Sequence, residues 1–76
     1  MTEYLQYQGQ LYRTHSVVFR TDDFTIYELS DEIDLNGPVR FLALTRNQLI
    51  YSVGVLEWPD EDVLIECHGK GRIITL

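Results

Sequence analysis

Three side chains in this sequence could hold a soft metal ion: His15, Cys67 and His68. The two histidines with Glu66 or Glu28 would supply a two-histidine, one-carboxylate donor set. Spacing argues against such a site. Cys67 and His68 are neighbours in a stretch that reads as extended, so their side chains point to opposite faces. No run matches a zinc or iron signature, and a single cysteine excludes both an internal disulfide and a multi-cysteine zinc site. Cys67 is read as a small core residue and His68 as a polar strand end before a turn. No cofactor and no metal are expected.

Covalent catalysis would need Ser16, Ser30, Ser52 or Cys67 beside a histidine and an orienting acid. Ser16 adjoins His15 and so faces away from it, and no glycine-flanked nucleophile elbow occurs. So short a chain also leaves little room for a substrate cleft between paired carboxylates. Gly69-Lys70-Gly71-Arg72 has the look of a phosphate loop but lacks the longer glycine-rich run and the helix behind it, so it is read as a hairpin turn. The chain is not expected to be an enzyme.

Charge is the stronger signal. The net charge is −6, and it is unevenly spread: residues 22–34 hold six acids and no base, residues 57–66 five acids and no base, while the remainder sums to +5. A phosphate-binding chain would show a basic stripe instead. Two uncompensated acidic blocks favour a basic partner or no partner at all, since net charge also keeps a small protein soluble. Trp58 lies between Glu57 and the Pro59-Asp60-Glu61-Asp62 turn, where an aromatic anchor would sit among steering charges. The expected function is therefore that of a non-enzymatic interaction module docking on a basic surface of a larger protein, with an inhibitor that imitates nucleic acid as one version. The expected contact residues are Asp31, Glu32, Asp34, Glu57, Trp58, Asp60, Glu61 and Asp62. Two alternatives remain: a single-stranded nucleic-acid binder using tyrosine and arginine platforms, and a minor metal or catalytic site around His15 and His68. Direct nucleic-acid binding is not expected on the first reading.

These residues need a scaffold. With 76 residues, nearly half of them apolar, the chain is one domain, residues 1–76, with a small core. No run of about 18 apolar residues suggests a membrane span. The start, MTEYLQYQGQ, lacks the features of a secretory signal, so a cytoplasmic location is expected. Residues 38–59 carry two apolar runs around Arg46-Asn47-Gln48, a central hairpin. A two-residue Asn47-Gln48 loop would pair Leu44 with Tyr51, Leu42 with Val53 and Phe41 with Gly54. Leu42, Leu44, Tyr51 and Val53 would then share one face, with Val39, Phe41, Ile50 and Leu56 on the other. A ribbon apolar on both faces must be covered on both.

Around it, Gly9-Gln10 is read as a type II′ turn that puts Tyr7 opposite Tyr12 in an exposed ladder. Leu11–Arg20 and Phe24–Leu29 read as strands from their β-branched and aromatic residues. Ser30–Gly37 reads as a non-strand segment with one helical turn capped by Ser30, Ile33 or Leu35 tucked inward, broken at Asn36-Gly37-Pro38. Val63–His68 and Arg72–Leu76 are the last strands, the second an edge open to self-association, so a homo-oligomer is possible. The predicted fold is all-β, a small antiparallel meander of six or seven short strands closing into a barrel-like or rolled sheet.

Overall fold

The computed structural model describes residues 1–54 and 64–76. It is all-strand: β1 (Glu3–Tyr7), β2 (Gln10–Arg20), β3 (Phe24–Asp34), β4 (Pro38–Thr45), β5 (Leu49–Val53) and β6 (Leu64–Thr75). Each strand pairs antiparallel with the next, and β6 returns to β1, so the sheet closes into a barrel. Among the described residues no helix is long and apolar enough to cross a membrane.

Closure depends on β6. The Gly69-Lys70-Gly71 stretch is not a hairpin turn, and there is no seventh strand after it: β6 runs straight through. Through Gly69, opposite Ile50, and Lys70, opposite Leu49, β6 pairs with β5; from Gly71, opposite Tyr7, it pairs with β1. Gly69 sits at φ +109°, a conformation that side chains resist, and lets the strand turn from one neighbour to the other. The final segment is therefore no open edge, since Arg72–Thr75 is held by β1.

The first turn forms one residue earlier than expected. Gln8 (φ +52°) and Gly9 (φ +76°) are its two central residues, which makes it type I′ with Tyr7 opposite Gln10 and Leu5 opposite Tyr12. A type I′ turn twists with its strands, and glycine serves its second position as well as the first of type II′. Tyr7 is consequently buried rather than part of an exposed ladder, and Tyr12 is packed against the same cluster.

The β4–β5 turn contains three residues, not two. Thr45 accepts the Gln48 amide on its carbonyl (2.9 Å) and the Leu49 amide on Oγ1 (3.1 Å), with Gln48 at φ +62°. Leu44 then lies opposite Ile50, Ala43 opposite Tyr51 and Leu42 opposite Ser52. A one-residue slip exchanges the faces of a strand. Ile50, not Tyr51 or Val53, joins Leu42 and Leu44, and the slip moves Phe41 off Gly54. The requirement for cover on both faces still holds: Leu42 and Ala43, adjacent on β4, are 2% and 0% exposed. Leu42 belongs to a cluster with Leu5, Tyr7, Leu29 and Ile50, drawn from the three strands β1, β3 and β5. Ala43 belongs to a second cluster with Phe24 and Ile26, flanked by Phe19, Phe41, Tyr51, Val53 and Leu64.

Residues 30–34 extend β3 instead of forming a capped helical turn. A single turn of helix is costly to nucleate and gains little. The extended path lets Ile33 pair with Val39 and Asp34 with Pro38, after a bulge that follows Glu28. Ile33 and Leu35 pack inward against the barrel cluster, as their apolar character implied. The break at Asn36-Gly37 is a turn with both residues at positive φ, +59° and +131°.

Candidate interaction surface

The fold keeps the two histidines apart. His15 lies two residues beyond Arg13, which stands opposite Tyr4 near the start of β1. His68 lies at the other end of β1, where the Tyr7 hydroxyl donates to its carbonyl (2.7 Å). At ~3.4 Å per residue, roughly 10 Å of strand separates Tyr4 from Tyr7. Among the described residues no three His, Cys, Asp or Glu side chains gather where they could hold a metal ion. Cys67 is exposed and free, not a core residue. Neighbouring strand residues alternate, and it is His68 that turns inward: it is half-buried, and its Nε2 is buried with no hydrogen-bond partner among the described residues. Ser16 Oγ donates to Glu28 (3.4 Å), a long contact on an exposed surface with no histidine in it.

The tyrosines do not stand out as stacking platforms. Tyr7 is buried and Tyr4, Tyr12, Tyr27 and Tyr51 are half-buried. Burial pushes the Tyr27 hydroxyl above its ordinary value of 10.0; Glu3 adds to the effect and the Arg20 guanidinium opposes it. Folding therefore disfavours the tyrosinate. The contribution of Tyr27 to stability should be complete below pH 10.0 and should be lost as pH rises through its higher folded value. Urea midpoints followed from neutral pH to past 10.0 should fall more steeply for the wild type than for Tyr27→Phe. Parallel curves would refute this origin of alkaline sensitivity.

The acidic run 22–34 is continuous in sequence but divided in space. Asp22 and Asp23 are exposed in the β2–β3 turn, where the Asp23 carbonyl accepts the Arg46 amide (3.0 Å) and Thr21 Oγ1 accepts the amides of Asp23 and Phe24. Asp31, Glu32 and Asp34 are exposed at the far end of β3. About eight residues of strand at ~3.3 Å each put roughly 25 Å between the two groups. That is well beyond the ~8–10 Å screening length in physiological salt, so they act as separate charges. Asp34 Oδ1 accepts the Gly37 amide (2.9 Å) and so fixes the β3–β4 turn. Among the described residues Asp31 and Glu32 have no ion-pair partner. Glu57, Trp58, Asp60, Glu61 and Asp62, the other expected contact residues, lie outside the described residues. Sequence reasoning passed over the fact that the tip of the β3–β4 hairpin, with its Asn36-Gly37 turn, is what presents the acids; the Asn-Gly pair between two apolar-flanked runs was the available signal.

No protein-family model, curated protein or solved structure matches the chain.

Proposed function

We propose that the chain is a non-enzymatic interaction module whose acidic surface docks on a basic surface of a larger protein. The observation that carries this reading is the group at the end of β3: Asp31 and Glu32 are exposed and, among the described residues, without an ion-pair partner, on a hairpin anchored by Ile33 and Leu35 packing into the barrel. Charges held on a hairpin that packs against the core steer an encounter at a reduced ordering cost. Glu57, Asp60, Glu61 and Asp62 add a second acidic stretch in the sequence, and Trp58 within it is an anchor candidate. An exposed free thiol at Cys67 fits a reducing compartment, the cytoplasm.

In the inhibitor version the acids take the place of nucleic-acid phosphates on the target. The test is capture from the native cell at low and at raised salt, followed by competition with double-stranded DNA. The expected result is a basic protein that is retained at low salt, released as salt rises, and bound by either this chain or the DNA but not both. A recovered partner with an acidic or apolar contact surface, held equally at both salt concentrations, would overturn the reading.

A further inference from the structure

We infer that Asn36-Gly37 is a latent modification site, a self-modifying asparagine whose conversion to aspartate or isoaspartate is held back by the Asp34 carboxylate. The chemistry belongs to the pair itself. A deprotonated Gly37 amide nitrogen attacks Asn36 Cγ; the N–Cγ bond forms, the Cγ–Nδ2 bond breaks, and Nδ2 leaves as ammonia after taking a proton from water. Water then opens the resulting five-membered imide at either carbonyl, giving aspartate or, with one extra methylene in the backbone, isoaspartate. One water is consumed and one ammonia released, with no change of oxidation state. Glycine is the least obstructive residue to carry the attacking nitrogen, and around Gly37 an added Cβ would meet nothing within 4 Å among the described residues beyond its two chain neighbours. Asn36 is exposed, so water reaches it.

Three features of the turn oppose ring closure. The Gly37 N–H, whose proton must leave, is donated to Asp34 Oδ1 at 2.9 Å. Forming an amide anion beside a carboxylate places two like charges together, which raises the cost of deprotonation. The nitrogen must also swing over Cγ, yet the turn is pinned by Leu35 N donating to the Gly37 carbonyl (3.0 Å) and by Asp34 pairing with Pro38. The positive φ at both positions, +59° and +131°, is kept by that framework.

The inference stands apart from the docking proposal but bears on the same hairpin. Conversion would add a carboxylate beside Asp31, Glu32 and Asp34, and the isoaspartyl form would lengthen the turn that presents them. An ageing population of the protein would then become heterogeneous at its acidic tip.

The test is incubation of the purified chain at mildly alkaline pH, with peptide mass spectrometry following replacement of the Asn36 amide by hydroxyl. Wild type, Asp34→Asn and Asp34→Ala are compared in buffer, and the wild type also in urea. A hydrogen bond to a charged acceptor is worth about 1.5 kcal/mol, so its loss should accelerate reaction about tenfold. The expected order is folded wild type slowest, Asp34→Asn next because its side-chain oxygen still accepts, Asp34→Ala faster, and unfolded wild type fastest. If circular dichroism shows that Asp34→Ala has lost its fold, Asp34→Asn decides by the same comparison with wild type. A folded wild type that reacts as fast as the unfolded chain, or a folded Asp34 variant that reacts no faster than wild type, overturns the inference.

Discussion

Leu42→Ala is expected to destabilise the protein by ~2–5 kcal/mol. Leu42 is 2% exposed and packs with Leu5, Tyr7, Leu29 and Ile50, residues supplied by β1, β3 and β5. A cavity there removes contacts from several strands at once, and a closed barrel gives its walls little freedom to collapse into the space. A domain of this size has total stability of only about 4–11 kcal/mol, so the variant should be partly unfolded at ordinary temperature. Leu44→Ala should cost less, because Leu44 is only half-buried beside the same cluster. Urea denaturation measures both, with the slope checked for constancy. A Leu42 effect under ~1 kcal/mol, or a larger effect at Leu44, would contradict the register described here.

Gly71→Ala should be nearly as damaging for the opposite reason. An added Cβ would overlap Ile50 Cδ1 and stand 2.9 Å from both Ile50 Cγ1 and the Gln6 carbonyl oxygen. Ile50 is fully buried, and Gln6 O is backbone in the strand that closes the barrel, so neither can yield cheaply. Overpacking of this kind costs ~1–3 kcal/mol. Ile50→Val removes the offending Cδ1, so Gly71→Ala and Ile50→Val together should be less destabilising than the sum of the two alone. Strict additivity in urea denaturation would mean that the contact is not the source of the loss.

These two residues also mark where sequence reasoning succeeds and where it stops. The strands themselves were legible because Leu11–Arg20, Phe24–Leu29 and the two runs around Asn47 are rich in β-branched and aromatic residues. The need to cover β4 on both faces followed from apolar residues at alternating positions, Leu42 and Leu44 on one face and Val39 and Phe41 on the other, and the barrel satisfies it by burying the adjacent Leu42 and Ala43. Register was not legible. It turned on whether Arg46 belongs to the strand or the loop, and the Thr45 hydroxyl settles that by capping Leu49, an interaction that strand patterning does not reveal. Glycine was ambiguous in the same way: Gly69 and Gly71 mark a hairpin or a bend with equal local logic, and only pairing with Leu49 on one side and Tyr7 on the other makes them a bend.

For the candidate surface, the exposure of Asp31, Glu32 and Asp34 was legible from charge alone. Their separation from Asp22 and Asp23 was not, because Ser30–Asp34 reads by propensity as a break, whereas pairing with β4 draws it out as strand. Tertiary pairing overrode local preference there.

The claim that charge at the end of β3 guides docking is tested most directly by association kinetics with the captured partner across a salt series. Asp31→Asn with Glu32→Gln removes two charges, keeps the shape and leaves Asp34 and its turn intact. Exposed substitutions of this kind change stability by ~0.5 kcal/mol or less, so folding should be unaffected. The wild-type association rate should fall as salt rises, the variant should associate more slowly at low salt with a flatter salt dependence, and dissociation should hardly change. Equal association rates for the two proteins at every salt concentration would contradict the account.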